Sequence, residues 1–379
     1  MSSIHVGLST TMVEPALTKG HIDGIGVYTN ALLQGLPATG CEVTGFSFSM
    51  FPGKATSSQF LTGTAMPQSF SVLSMRDLMM PSVIRSRLPV DLYHATDYRI
   101  VRMNCPVVAT LHDAIPLKYP EWTNARLRSI KNWMQKKAAK KADHVIALSQ
   151  FSVTELVEYF GINEEKITVV HCGVSAHWLE MLPQDEVQQA LAQYGLRSGY
   201  FLFVGTLQPR KNVERILQAY LMLSPEIRKE RQLVIVGRAG RRCETVLAQI
   251  RDAQEQDEQV VWLNGVEGEE ALRRVYAGAG AFVFPSLHEG FGIPVVEAFA
   301  SGVPVVTSNT TSLPEVSQGA ALEVDPLSVG EISEAMASLV RDAALNARCI
   351  AAGRQRAAQL TWRHTVEKTA AVYRAVLKR

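Results

Sequence analysis

The sequence predicts an α/β protein made of two doubly wound parallel sheets. Short apolar runs recur along the 379 residues, continuous and not alternating, and rich in β-branched and aromatic residues. Strands buried on both faces have this pattern. Helix-length segments separate the runs, as crossover connections between parallel strands require. The length also suits about two domains, each large enough to close its own core.

The first set of strands is predicted at Ile4–Leu8, Val43–Phe48, Leu92–His94, Val107–Leu111, His144–Leu148 and Ile167–Val170. The second is predicted at Tyr200–Val204, Gln232–Val236, Val260–Leu263, Ala281–Phe284, Val303–Thr307 and Ala321–Val324. Two sets of about six strands fit two domains better than one very wide sheet. Between the sets lie Trp178, a polar, helix-like stretch from Asp185 to Tyr194, and the break Gly195-Leu-Arg-Ser-Gly199, which places a linker at residues 172–196. The expected division is 1–180, 181–361 and a terminal segment 362–379. In that segment Val366, Ala370, Tyr373, Val376 and Leu377 fall near helical spacing, so it reads as an amphipathic helix packing back on the first domain. The run Pro52–Pro67, rich in Ser, Thr and Gly, reads as a loop, and Met75–Pro89 carries exposed-looking Met and Leu.

Composition excludes several classes. The chain is 47% apolar and 20% charged with a net charge of +2, which is neither a disordered composition nor a polycation for nucleic acid. No apolar run approaches the ~18 residues of a membrane span. The start Met1-Ser-Ser-Ile-His lacks the charged and apolar regions of a secretion signal. Cys41, Cys105, Cys172, Cys243 and Cys349 are scattered, with no C-x-x-C. That argues against a disulfide framework or a zinc site and for a reducing compartment. A cytoplasmic protein is expected.

The strongest motif is Phe284-Pro-Ser-Leu-His-Glu289-Gly-Phe-Gly292-Ile-Pro294-Val-Val-Glu297, continuing through Gly302-Val-Pro304 to Ser308. A strand ends, a glycine loop follows, and Pro294 stands near a helix start, where its missing N–H is harmless. Such a loop can hold a phosphate through free N–H groups and the helix dipole. An acidic residue beside an anion site is wrong for the phosphate itself. Glu289 and Glu297 make sense as hydroxyl acceptors, one for a sugar and one for a ribose. The second motif, Phe203-Val-Gly205-Thr-Leu-Gln-Pro209-Arg210-Lys211-Asn212, sets two adjacent cations on a loop after a strand. A guanidinium fork and an ammonium point charge can neutralise a diphosphate leaving group without a metal.

The E-x7-E spacing, the Gly-Phe-Gly between the glutamates and the trailing Ala-Ser-Gly-Val-Pro-Val-Val-Thr-Ser resemble the retaining glycosyltransferases of family 4. The resemblance runs from Gly24 past Trp362. It implies the GT-B fold, two Rossmann-like domains facing a cleft. It implies that Glu289 contacts donor-sugar hydroxyls, that Glu297 binds the ribose, and that the loop Gly290, Phe291, Gly292, Ile293 holds the distal phosphate. Arg210 and Lys211 would clamp the diphosphate beside Gly205. Thr206 stands where many members have Arg, so a three-cation clamp is not implied. Val266 and Leu272 fall in the region that cradles the base.

In the first domain, Gly24 and Gly26 open a helix after the first strand, at the place of the family's glycine-rich donor loop, and Val27 replaces the usual polar residue. A simple loop would read the same way. Thr110-Leu111-His112-Asp113 follows another strand; the resemblance puts His112 near the donor sugar, and Ser149 near the cleft. The segment Arg126–Lys141 holds seven cations, no acid and Trp133. A basic helix with an indole can sit on anionic lipid, and the competing reading is a solvated helix face.

The Leu-His-Asp-x-Ile-Pro-Leu-x-Tyr-Pro and Gly-Thr-Leu-x-Pro-Arg-Lys-Asn segments resemble the bacterial branch that builds O-antigen and other surface polysaccharides, often from GDP-mannose. The implied reaction is retaining hexosyl transfer to a glycan or polyprenyl-diphosphate-linked glycan, with His112, Arg210, Lys211 and Glu289 at the reacting centre. No D-x-D metal motif stands at a strand end, so no metal and no cofactor is expected. Alternatives are a UDP-sugar donor, a nucleotide-sugar epimerase, a phosphorylase and a non-catalytic partner subunit. A nicotinamide oxidoreductase lacks its fingerprint here, since no G-x-G-x-x-G follows a strand.

Overall fold

The computed structural model describes residues 3–49, 61–79, 86–122 and 128–378. The chain divides into two compact units, Met1–Cys172 with Trp362–Arg379, and Gly173–Thr361. Every strand pair in both is parallel, as continuous apolar runs separated by helices require.

In the first unit the described strands are β1 (Ile4–Ser9), β2 (Cys41–Ser47), β3 (Thr64–Ala65), β4 (Leu92–Ala95), β5 (Val107–Leu111), β6 (His144–Ala147) and β7 (Ile167–Val169). Their order is β3-β2-β1-β4-β5-β6-β7. Chain order reverses between β1 and β4, which makes the carboxyl ends of these strands the crevice where open α/β sheets take ligands. β3 lies in the stretch read as a loop from sequence. It pairs only Phe46↔Thr64 and Ser47↔Ala65, too short a ladder to leave an apolar run. The Phe70–Met79 helix follows it and covers the first part of the segment read as exposed Met and Leu.

The terminal helix, Trp362–Leu377, packs in this unit and buries Thr365, Val366, Thr369, Ala370, Val372, Tyr373 and Val376. Its neighbour is the Gly24–Gly35 helix. A side chain at Gly35 would place its Cβ 2.6 Å from Val366 Cγ2, so only glycine lets the two helices close.

In the second unit the described strands are β8 (Tyr200–Val204), β9 (Leu233–Val236), β10 (Val260–Leu263), β11 (Ala279–Phe284), β12 (Val305–Ser308) and β13 (Leu322–Val324). The order β10-β9-β8-β11-β12-β13 reverses between β8 and β11. Phe203, Phe282 and Phe284 stack along these two central strands, with centroids 6.0 Å and 5.5 Å apart.

The boundary falls at Cys172, ahead of the expected residue 180. Val174 N–H already donates to Leu360 O at 3.0 Å, and Trp178 packs edge-on against Tyr276. The expected linker is also largely structured. Gln184–Gln193 is a helix that buries Val187 and Leu191, four residues apart, against the Glu269–Ala277 helix.

Candidate active site

Both motifs of the second unit meet at the switch point between β8 and β11. After β8 the backbone turns at Gly205 (φ 155°), where a Cβ would press 3.2 Å from Phe203 Cζ. The chain then forms a short 3-10 turn, Pro209–Lys211. Asn212 ends that turn in the left-handed region (φ 61°), and its amide donates to Pro285 O at 2.8 Å and Pro326 O at 2.7 Å. This strap, with Leu287 N–H on Arg210 O at 2.7 Å, locks the Arg-Lys turn onto the loop after β11.

Glu289 is the centre of the site. Its Oε1 accepts from Lys211 Nζ at 2.6 Å and its Oε2 from Arg210 Nη1 at 3.0 Å. Arg210 Nη1 also donates to His288 O at 3.2 Å. Lys211 Nζ sits 4.6 Å from the centroid of Phe284, so the ring face shares its charge. Glu289, Lys211 and His288 are all buried. Burial alone would push the Glu289 carboxyl up; Lys211 and Arg210 outweigh it and hold the pKa at about 2. The group is therefore a carboxylate at any physiological pH.

Beside it, Gly292 (φ 114°) starts the Ile293–Ala300 helix with no side-chain cap, and Pro294 lies in its first turn. A Cβ at Gly292 would stand 2.8 Å from Leu313 Cδ2. Phe291 is buried, and Ser312 Oγ reaches both Glu289 O and Phe291 O at 2.9 Å. The Gly290–Ile293 loop is thus braced from below, and the positive end of the helix dipole stands beside two cations.

Glu297 lies one turn into that helix. Tyr276 Oη donates to its Oε2 at 3.0 Å. Burial of the carboxyl pushes it up to about 7, with the Tyr276 bond opposing and the charge of Glu269 assisting. The two glutamates therefore differ chemically: one is fixed as an anion, the other titrates near neutrality. Val266 and Leu272 are half-buried, on the loop after β10 and on the Glu269–Ala277 helix that presents Tyr276.

The remaining site residues belong to the first unit. His112 follows β5, is buried, and bonds Thr96 O through Nε2 at 2.9 Å, so that nitrogen carries the proton. Burial holds its pKa down, against the Thr96 bond and nearby acids. His112 and Asp113 are not bonded as a pair: Asp113 Oδ1 accepts from Tyr98 Oη at 2.8 Å and from Ile115 N–H at 3.0 Å. Gly24 opens its helix with clear space at its Cβ position. Gly26 is glycine for packing: a Cβ would lie 2.8 Å from Met12 O, and its N–H donates to the N-cap Asp23 at 3.0 Å. Ser149 caps the Gln150–Glu155 helix by accepting from Ser152 N–H.

The basic segment splits. Arg126 lies outside the described residues. On and just after the Arg128–Ala139 helix, Lys136, Lys137, Lys140 and Trp133 are exposed. Lys141 turns inward, 3.5 Å from the buried Asp77. Asp77 sits on the Phe70–Met79 helix, whose outer side exposes Val72, Met75, Leu78 and Met79. No helix among the described residues is long and apolar enough to cross a membrane.

Sequence reasoning missed the supporting residues Tyr276, Ser312 and Thr96. Each acts through hydrogen bonds across the fold, and none sits in a motif.

The chain is similar to known proteins over most of its length. Residues 22–178 match Glycosyltransferase Family 4, and residues 190–356 match Glycosyl transferases group 1. The O-antigen chain mannosyltransferase B of Escherichia coli is 32% identical over 288 residues, covering 75% of this chain and 74% of that protein. The serotype-specific mannosyltransferase WbdA of the same organism is 27% identical over 68% of this chain, which spans only 32% of WbdA's length. Among solved structures, sucrose-phosphate synthase from Thermosynechococcus elongatus superposes with a TM-score of 0.76 over 99% of both chains at 20% identity, a likeness of fold. With two Rossmann-like parallel-sheet units of GT-B type, and with relatives that match across both, the chain belongs to the family 4 glycosyltransferases.

Proposed function

We propose that this glycosyltransferase moves mannose, or a related hexose, from GDP-mannose to a glycan acceptor with retention of anomeric configuration. The observation that carries the reading is Glu289 held by Lys211 at 2.6 Å and Arg210 at 3.0 Å beside the uncapped start of the Ile293–Ala300 helix. Two cations and a helix N-terminus are what a departing nucleoside diphosphate needs. When its oxygens take the guanidinium fork and the ammonium, the Glu289 carboxylate is free to accept from donor-sugar hydroxyls. Glu297 accepts from the ribose. Gly205 and the Gly290–Ile293 loop give the phosphates close backbone approach, and Val266 and Leu272 flank the base.

The acceptor hydroxyl attacks C1 on the face the diphosphate leaves. The C1–O bond to phosphate breaks through an oxocarbenium-like state, the new C1–O bond forms, and the acceptor proton passes to the leaving phosphate oxygen. Arg210, Lys211 and the helix dipole stabilise the charge growing on that diphosphate, so the mechanism asks for no metal. His112, neutral and aimed by Thr96, and Gly24 belong to the sugar side of the reaction.

Mannose is supported by the mannosyltransferase relatives, whose O-antigen setting also supports a polyprenyl-diphosphate-linked glycan as acceptor, and GDP rests on the resemblance to the surface-polysaccharide branch that often uses GDP-mannose. Such an acceptor lies at the cytoplasmic face of a membrane. The exposed Trp133, Lys136, Lys137 and Lys140, with the exposed apolar Met75 and Met79 of the Phe70–Met79 helix, support reversible docking there.

The test is incubation with GDP-mannose, UDP-glucose, UDP-galactose and ADP-glucose, following nucleotide release. Release from GDP-mannose alone is the expected outcome; release from a UDP-sugar alone would move the assignment to that donor, and release from none would favour a non-catalytic subunit.

A further inference from the structure

We propose that the terminal helix is a positioning element for His112, acting through a chain of hydrogen bonds over Tyr373, His94, Thr110 and Tyr28. The proposal rests on the reading of His112 as a donor-site residue.

All four side chains are fully buried in the first unit. Tyr373 Oη lies 2.6 Å from His94 Nδ1, His94 Nε2 lies 2.8 Å from Thr110 Oγ1, and Thr110 Oγ1 lies 2.9 Å from Tyr28 Oη. Burial keeps His94 neutral, with a pKa near 3, so one of its nitrogens donates and the other accepts. The chain of bonds starts on the terminal helix, at Tyr373.

The strand geometry connects this chain to His112. Side chains two apart on a strand share a face. Thr110 and His112 are two apart along and just past β5, and His94 and Thr96 two apart along and just past β4. The His94–Thr110 bond ties the two strands through side chains, and His112 ties them again at their carboxyl ends by bonding the Thr96 backbone carbonyl. Tyr28 closes the cage, its ring 5.3 Å from His112 at 88°, with Trp362 of the terminal helix 6.3 Å from Tyr28. A buried, continuous chain of hydrogen bonds resists the small displacements that cost an enzyme rate.

The test compares Thr110→Val, Thr110→Ser and Tyr373→Phe in the full chain, with GDP-mannose turnover, GDP affinity and thermal midpoint measured together. Thr110→Val is expected to lower kcat/KM about 10- to 100-fold, a typical cost of misplacing a functional group, with GDP affinity unchanged. Thr110→Ser restores the rate. In a His112→Ala background Thr110→Val changes kcat/KM less than about twofold, since coupled residues are not additive. The same loss in that background, or wild-type kcat/KM in Thr110→Val, overturns the proposal. Should His112→Ala turn over like wild type, the donor-site reading of His112 fails and the chain of bonds is judged by ¹⁵N NMR. There Tyr373→Phe must shift the His112 ring signals, and unshifted signals overturn the positioning role.

Discussion

Glu289 Oε1 lies 2.6 Å from Lys211 Nζ, across the point where strand order reverses between β8 and β11. The two residues are 78 positions apart in the chain and share one buried charge pair. Removing one charge of such a buried pair costs roughly 3–5 kcal/mol, although Glu289 keeps its Arg210 partner when Lys211 is lost. The pair thus joins stability to chemistry, and substitutions here must be read on both scales.

Lys211→Ala and Arg210→Ala are each expected to lower turnover about 10²- to 10³-fold, the usual cost of losing one donor to a developing anion. Steady-state kinetics on variants with an intact circular dichroism spectrum checks this. Wild-type turnover in both would remove the diphosphate clamp.

Glu289→Gln and Glu297→Gln are expected to separate. Glu297→Gln weakens binding of free GDP, because ribose hydroxyls lose an anionic acceptor. Glu289→Gln leaves GDP affinity within a few-fold and abolishes sugar transfer. Calorimetric titration with GDP reads the difference; equal losses of affinity in both variants would contradict the division of roles.

The two carboxyls, shifted in opposite directions, also set pH dependences in two separate windows. Glu297 keeps its proton up to about 7, and ribose hydroxyls favour the deprotonated form. GDP affinity should therefore rise about tenfold between pH 6 and 8 by linkage, and flatten in Glu297→Gln. Glu289 is held at about 2 against an ordinary 4.5. Its contribution to stability is present above pH 4.5 and is lost as pH falls toward 2. The thermal midpoints of wild type and Glu289→Gln should converge across that window, and a constant gap would show that the carboxylate's ionisation does not stabilise the fold.

The exposed basic and apolar helices predict cosedimentation with anionic liposomes, lost at high salt as the Debye length shortens. Charge reversal at Lys136, Lys137 and Lys140 should release the protein, and Met75→Ser with Met79→Ser should weaken binding further. Lys141 belongs to the Asp77 pair, so its reversal should lower stability instead. Equal binding to neutral vesicles would contradict an electrostatic dock.

The β11 motif was legible because its chemistry is local. Strand, glycine turn and helix start follow one another, and Glu289 and Glu297 fall within that run. The pairing of Glu289 with Lys211 was not legible: it depends on which strands become neighbours. Gly26 misled because a glycine required by Met12 O looks, in sequence, like one required by a ligand. His112 and Asp113 are adjacent in the chain, yet successive residues leaving a strand diverge, and each found a different partner. β3 escaped because its partner β2, not its own residues, defines it.

The central claim is transfer from a nucleoside diphosphate sugar with retention, driven by the Arg210–Lys211 clamp. The most direct measurement is time-resolved ¹H NMR of the anomeric proton during turnover of GDP-α-mannose with a mannose-terminated glycan acceptor, in chelator. The account predicts an α-linked product from the first time point, GDP release in equal amount, and loss of both signals in Lys211→Ala. A β-linked product, or turnover that stops in chelator, would contradict it.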